Sequence, residues 1–369
     1  MKVILAAGNM RQKQGLSDTI PQTVKQEAIL LNQAELVFGE VIKGYDPYPV
    51  SIEVQPTDIC NQRCNYCFHG GIGFGKDRDT SRYLSESQIK NLIANLAELR
   101  IREYSISGGG EPFLSRNIST FITEARLRNL NIRIVTNGNF IPNDLLADIV
   151  NCVEIRFSLD TVNPETYSII RNVDPLLLSS TLVNIRSVVE EKKRQSADIL
   201  IGASFITNPH NQGEIIQFAD VLLGKIGVDK VIFKRDIYGR YIPDSQRDGV
   251  ERSLSIVKSN WGEAVEIRTQ LDKFKTGLPC VIPHFKSAIN PYGDLYSCCL
   301  GAQPNEINGY HMGNLADDLN NDDINAFDVA WKNSSSIRQQ MLREVKCTDC
   351  NFTDRQINGY FSQFFSINK

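Results

Sequence analysis

No stretch of this chain approaches the roughly 20 consecutive apolar residues that a membrane-spanning helix requires. The N-terminal apolar run stops at Ala7, and polar Asn9, Arg11, Gln12 and Lys13 follow at once. That is too short for the core of a secretory signal. An excess of one charge is also missing. Basic residues number 40 and acidic residues 43, a net charge of -3. Nothing in that balance favours a polyanion, so no nucleic-acid partner is expected. Internal repeats and low-complexity tracts are absent too. What remains is an ordinary globular composition, 41% hydrophobic and 22% charged. At about 150 residues per domain, the length suits two domains. A cytoplasmic location is expected. Nine cysteines there argue for metal ligands rather than disulfides, because the cytosol keeps thiols reduced.

Three of the nine, Cys60, Cys64 and Cys67, form a C-x3-C-x2-C cluster just after a strand-like run at residues 50–56. About 0.005 chance occurrences are expected in a chain with this cysteine content. Three thiolates on one tight loop can hold three irons of a four-iron cluster and leave the fourth open to a ligand. Structural zinc is the alternative. It wants four ligands, and no fourth cysteine lies near, although His69 does.

From Val50 to about Asp236, strand and helix patterns alternate. Strands are expected at 50–56, 104–107, 131–136, 153–159, 198–206 and 229–235. Among the intervening helices, the clearest opens with Ser85 and Gln88 as a capping box and continues with Ile89, Leu92, Ile93 and Leu96 on one face. Six such units predict a parallel sheet with right-handed crossovers, and the economical arrangement is a partial (β/α)6 TIM-like barrel. A doubly wound sheet is the alternative. In the first and fourth strands, Glu53 and Gln55 and then Arg156, Ser158 and Asp160 alternate with apolar residues. A strand buried on both faces would read as continuously apolar, so one face looks into a wet or ligand-filled space. The expected organisation is an N-terminal helical extension at 1–48, the barrel at 49–240, a linker at 241–275 with a helix near 250–260, and a cysteine-bearing domain at 276–369. One helix is expected at about Pro21 to Phe38, stopped by Gly39.

The triplet follows the first strand, where α/β barrels carry their functional loops. The second strand ends in Gly108-Gly109-Gly110-Glu111-Pro112, whose glycines let a ligand approach the backbone. Taken together, these residues resemble the radical S-adenosylmethionine (SAM) superfamily. The resemblance implies a 4Fe-4S cluster on Cys60, Cys64 and Cys67 whose open iron binds SAM. It also implies reductive cleavage of SAM to a 5'-deoxyadenosyl radical that removes a hydrogen atom from substrate. Tyr66 would then lie near the adenine. The Gly108–Gly110 backbone, with Glu111, would face the methionine amino group. Thr136 and Asn137 after the third strand, and Ser158 and Asp160 after the fourth, would contact ribose or carboxylate. As a simple turn, Asn137-Gly138 would need no ligand. Arg171 and the pair Lys234-Arg235 could meet anionic parts of SAM or substrate, or serve only as surface charges.

Farther on, Cys280, Cys298, Cys347 and Cys350 resemble the auxiliary-cluster domains called SPASM and Twitch. Because no cysteine follows Cys350, the shorter Twitch form with one auxiliary 4Fe-4S cluster is implied, two clusters in all. By spacing alone, tetrahedral zinc fits these four equally well. Residues 292–300 read as a hairpin with a Gly-Asp turn that presents Cys298 at its exit. Cys152 reads as a buried apolar thiol. Cys299 reads as a core residue, a spare ligand, or a catalytic hydrogen donor of an epimerase.

A closed auxiliary cluster suits electron transfer, so the resemblance points to two-electron oxidation of the substrate. Redox-neutral epimerisation or dehydration is the alternative. An iron-sulfur electron carrier or a zinc module would explain the cysteines but not the glycine run. The short N-terminal segment favours a small polar substrate, a sugar, aminocyclitol or nucleoside, over a peptide. Glu53, Gln55, Arg156, Ser204, Lys234 and Arg235 are its candidate contacts. Flavodoxin or ferredoxin is the implied reductant.

Overall fold

The computed structural model describes residues 36–41, 43–67, 83–235, 244–268, 280–299, 310–343 and 357–358. His69, Cys347, Cys350 and most of the expected N-terminal helix lie outside them.

Among the described residues, ten strands form one sheet in the order β10-β9-β8-β1-β2-β3-β4-β5-β6-β7. Strands β1 (Ser51–Val54), β2 (Glu103–Ile106), β3 (Asn131–Thr136), β4 (Glu154–Ser158), β5 (Leu200–Thr207) and β6 (Lys230–Arg235) pair in sequence, all parallel. These are the six expected strands. The α/β architecture with a mainly parallel sheet is that of a partial TIM-like barrel.

The helices between the strands follow from local sequence. Helix α1 (Glu86–Glu98) starts at Ser85, whose side chain accepts from the Gln88 N–H while the Gln88 side chain accepts from the Ser85 N–H. Two of the donors that a helix start leaves bare are thus satisfied. Ile89, Leu92, Ile93 and Leu96 are all buried against the sheet, each contributing about 1.5–3 kcal/mol by apolar burial. Helices α2 (Ile118–Leu127), α3 (Leu146–Ile149), α4 (Pro164–Arg171), α5 (Leu177–Gln195) and α6 (Ile215–Ala219) complete the crossovers. Asn163 caps α4 through the N–H groups of Glu165 and Thr166. Cys152 is buried, as expected.

Three features differ from the sequence reading. Residues 244–268 lie in the expected linker; helix α7 (Asp244–Trp261) contains the helix expected near 250–260, but strand β7 (Val265–Arg268), which pairs parallel with β6, was not expected. Strand β8 (Lys286–Ile289) joins the other edge of the sheet, parallel to β1. The cysteine-bearing segment is therefore continuous with the barrel sheet. Third, the helix at 36–41 runs through Gly39, and the chain turns at Gly44, where φ is +88°.

Strands β8 and β9 (Asp294–Tyr296) form the expected hairpin, and β10 (His311–Asn314) adds to it antiparallel. The turn occupies Asn290–Gly293, slightly earlier than expected. Its Gly293 has φ +85°, and an added Cβ would meet the Ala316 nitrogen at 3.1 Å. Helices α8 (Ala326–Asn333) and α9 (Ser335–Met341) follow. Arg338 is fully buried there, paired with Asp46 and lying 3.7 Å from the Trp331 ring centroid.

Candidate active site

Alternation along each strand sorts side chains by face. Ile52, Val54, Tyr104, Ile106, Ile132, Ile134, Ile155, Phe157, Ile201, Phe205, Val231 and Phe233 join the helix-covered core. Glu53, Ser105, Arg133, Arg156, Ser158, Ser204 and Lys234 take the other face, toward the barrel interior.

At the C-terminal end of this sheet, two loops interlock. The Gly110 N–H donates to the Thr57 carbonyl at 2.9 Å, and the Glu111 N–H to the Ile59 carbonyl at 2.8 Å. The glycine loop thereby holds the base of the cysteine loop. Only glycine fits at 110, because a Cβ there would lie 2.2 Å from the Ile59 oxygen. Gly108 has φ +154° and packs on Gln55.

Glu111 is 2% exposed. Its carboxylate accepts from Thr136 Oγ1 at 2.6 Å, the Asn137 N–H at 2.7 Å and the Phe113 N–H at 3.2 Å. Burial raises its pKa to about 7, although those bonds oppose the rise. The carboxylate thus ties the ends of β2 and β3 together rather than facing a ligand; in the loop itself Gly109 is buried and Gly108 and Gly110 are half-buried. Asn137 is more than a turn residue. Its amide nitrogen donates to Asn61 Oδ1 at 2.7 Å and lies 4.0 Å from Cys60 Sγ.

Cys64 has a charged neighbour. Arg171 at the end of α4 places Nη1 3.4 Å from Cys64 Sγ and 3.3 Å from Gln62 Oε1, while Nη2 lies 2.7 Å from Asp160 Oδ2. Burial disfavours the guanidinium charge, but the Asp160 carboxylate holds its pKa well above the ordinary value. Asp160 is fully buried at φ +66°. Its carboxylate also accepts from the Ile206 N–H at 2.7 Å and from the Tyr66 hydroxyl. Burial keeps the Tyr66 phenol protonated by pushing its pKa well up. The Tyr66 ring stands 5.6 Å from the Arg171 guanidinium carbon. The cysteine loop is pinned to α4 by the Arg63 and Asn65 N–H groups, which donate to Arg171 and Ile170 carbonyls at 3.0 Å each.

Gln62, between the first two cysteines, was not singled out by the sequence reading. It is buried, and its amide donates to Asn139 Oδ1 and the Tyr167 hydroxyl, both at 2.7 Å. Its oxygen faces Arg171. The signal was a neutral polar residue confined to a three-residue gap between cysteines.

These residues suit a 4Fe-4S group. Arg171 and Asn137 present N–H donors to sulfur, and such contacts stabilise thiolates. Burial pushes the Cys60 thiol to about 12, so ligation has to release its proton. Arg171 Nε is buried and bonds to nothing, an orphaned donor beside the loop. Among the described residues, no three Cys, His, Asp or Glu side chains converge on one metal ion. A cubane asks for something else, since each cysteine takes a separate iron.

Comparison with known proteins agrees with this geometry. The model of the Radical SAM superfamily matches residues 54–187. This stretch is a radical SAM domain. It runs from the end of β1 into α5 and contains the cysteine triplet, the glycine run, Asp160 and Arg171. Curated relatives include GTP 3',8-cyclase of Limosilactobacillus fermentum, 33% identical over 134 residues, 34% of this chain and 39% of the relative. Another is the S-adenosylmethionine-dependent nucleotide dehydratase of Psychrobacter lutiphocae, 31% identical over 148 residues, 36% of this chain and 49% of the relative. The chain thus spans less than half of either relative. Among solved structures, Streptococcus suis SuiB bound to precursor peptide SuiA superposes with a TM-score of 0.61 at 14% identity, covering 91% of this chain and 77% of SuiB. Native anSMEcpe with bound AdoMet gives 0.52 at 15% identity, covering 86% and 98%. At such identities the likeness is one of fold, and it extends well beyond the radical SAM domain into the C-terminal segment.

In that segment, Cys280 is buried in a small apolar cluster with Phe38, Val281, Ile282, Phe285 and Tyr310, and Cys298 packs against the same cluster. Cys299 packs instead against Ala288 and Tyr296. Adjacent cysteines thus serve opposite sides of the strand exit. None of the seven described cysteines is in a disulfide.

The six candidate substrate contacts separate by face. Glu53, Arg156, Ser204 and Lys234 lie on the interior face. Gln55 follows β1, bonded to Glu53 at 3.5 Å. Arg235, next along β6, lies on the face opposite Lys234. No helix among the described residues is long and apolar enough to cross a membrane.

Proposed function

We propose that the chain is a radical SAM enzyme that dehydrogenates a small polar substrate. Cys60, Cys64 and Cys67 hold the SAM-binding 4Fe-4S cluster. Cys280 and Cys298, together with Cys347 and Cys350, hold an auxiliary cluster of SPASM/Twitch type. The observation that carries the reading is the charged network on the cysteine loop, in which Arg171 reaches Cys64 and Asp160 at once. When bound, the cluster and SAM supply a 5'-deoxyadenosyl radical that removes a hydrogen atom from the substrate. The chain's own residues position that chemistry. The Gly108–Gly110 backbone lines the methionine amino group. Asn137 and Ser158 would face the ribose and carboxylate side and Tyr66 would border the adenine, whereas Asp160, fully buried, would act only by holding Tyr66 and Arg171 in place. Arg171 holds the loop by its charge and offers its unbonded Nε to an anionic group. The interior face would take the substrate, and the auxiliary cluster that Cys280 and Cys298 would help to hold would supply an acceptor for the second electron. Cys299 has a packing role in this scheme. The external electron comes from flavodoxin or ferredoxin.

A redox-neutral outcome is the second reading. The names of the two curated relatives, a cyclase and a dehydratase, favour it. The test is anaerobic reconstitution followed by SAM and dithionite. Release of 5'-deoxyadenosine is expected, and Cys64→Ala abolishes it. A reconstituted, iron-loaded chain that releases none is an electron carrier, and a colourless zinc-loaded chain is a binding module. With substrate in hand, a product two electrons more oxidised distinguishes dehydrogenation from rearrangement.

A further inference from the structure

Gln62 stands between two of the triplet's cysteines, and both hydrogens of its amide are engaged. One goes to Asn139 Oδ1 and the other to the Tyr167 hydroxyl, each at 2.7 Å. The groups that receive them are fixed in turn. Asn139 Nδ2 donates to the Tyr167 hydroxyl at 2.9 Å and to Thr181 Oγ1 at 2.6 Å, and Thr181 Oγ1 donates to the Leu177 carbonyl at 2.9 Å. Gln62, Tyr167 and Thr181 are 3%, 0% and 0% exposed. The loop after β3, together with helices α4 and α5, thus clamps one end of the amide away from water.

The other end is then an oxygen. Oε1 lies 3.3 Å from Arg171 Nη1 and 3.5 Å from Cys64 Sγ. Reversing the amide would set its N–H groups against those of Arg171, donor against donor. Arg171 Nη1 also stands 3.4 Å from Cys64 Sγ, so the oxygen and the sulfur share one nitrogen. Arg171 does not depend on Gln62 for its place, because Asp160 holds Nη2 at 2.7 Å. Bound to iron, Cys64 carries no hydrogen. The contact then sets the negative end of a carbonyl dipole against a sulfur that bears part of the cluster's charge. Hydrogen bonds to the sulfurs and local charge set the potential of an iron-sulfur cluster. A dipole buried in protein is little screened there.

We infer that Gln62 is a positioning residue that holds the reduction potential of the triplet's cluster low. It does so by aiming its carbonyl oxygen at Cys64 and by drawing off part of the Arg171 hydrogen bond to that sulfur. The inference rests on the radical SAM reading above and deepens it, since a low potential is what reductive cleavage of SAM asks of its electron donor. Arg171 and Asn137, which present N–H groups to the cysteine sulfurs, act in the opposite sense.

The test uses the full chain, reconstituted anaerobically, in a potentiometric titration followed by electron paramagnetic resonance. The signal that added SAM alters identifies the triplet's cluster. Gln62→Met keeps the length of the side chain and removes the dipole. Its potential is expected to rise, with the ratio of reduced to oxidised cluster at a fixed potential up about tenfold, or about 59 mV for one electron. Gln62→Glu puts a full negative charge at the same place, and its potential is expected to fall. Iron content stays at the wild-type value in both, and the exposed Lys332→Gln leaves the potential unchanged. A residue that only braces the loop would shift both variants in one direction, or would cost iron and leave the potential of the remaining cluster alone. Either result overturns the inference. Should Gln62→Met not fold, Gln62→Glu still decides, because a potential equal to or above wild type overturns the proposal. A wild-type chain that assembles no SAM-responsive cluster removes the radical SAM reading and this inference with it. A SAM-responsive cluster whose potential ignores both substitutions removes this inference alone.

Discussion

Arg171 lies 2.7 Å from Asp160 and 3.4 Å from the sulfur of Cys64, with 3% and 0% of the Arg171 and Asp160 side chains exposed. A buried pair of this kind costs most when half of it is removed. Asp160→Asn keeps a residue that tolerates the left-handed backbone at φ +66° and deletes only the charge. A stability loss of about 3–5 kcal/mol is expected, read from denaturant unfolding. A loss below about 1 kcal/mol would mean that water reaches Arg171.

Gly110→Ala tests the loop interlock. The new Cβ would lie 2.2 Å from the Ile59 oxygen, next to Cys60, and backbone cannot yield cheaply there. Iron bound after reconstitution is expected to fall by at least half, together with the cluster absorbance. Iron content equal to wild type would show that the two loops can separate without harm.

Glu111 gives a pH signature. Its folded pKa of about 7 stands above the ordinary 4.5. The folded chain therefore keeps a proton that the unfolded chain has released across that interval. The contribution of this one group to stability is greatest below about pH 4.5 and is lost as pH rises through about 7, by about 3 kcal/mol in all. Glu111→Gln should remove this slope, visible as a changing difference from wild type in unfolding series between pH 5 and pH 8. A constant difference would mean that Glu111 titrates alike in both states.

Much of this was readable in advance. The Ser85–Gln88 capping box and the apolar stripe behind it are local signals, and both reciprocal bonds form. The six barrel strands are anchored by runs such as Ile132–Ile134 and Ile201–Phe205. Strands β7 and β8 escaped because four residues hold two apolar positions each, too few to establish a period. The place of Arg268, paired with Glu266 and set beside Lys234, escaped with β7, since only register fixes it. Gln62 and the division of labour between Cys298 and Cys299 depend on which way side chains face after a turn, and spacing does not encode that.

That division makes a direct prediction. Two clusters require about eight irons per chain. Cys298→Ala should lower reconstituted iron to about four while SAM cleavage persists, because the triplet is untouched. Cys299→Ala, at a half-buried side chain packed against Ala288 and Tyr296, should keep about eight. Reversal of the two results would assign Cys299 as the ligand.

Strand β8 has a temporal corollary. It pairs along the flank of β1 with Ser51 opposite Lys286 and Val54 opposite Ile289. During synthesis, β1 can gain β2 early, but its other edge stays bare until the ribosome has released more than two hundred further residues. A naked strand edge invites pairing with foreign chains. Chaperone shelter, and delivery of iron and sulfide only after release, are the natural requirements of a polypeptide whose first strand is completed by one of its last.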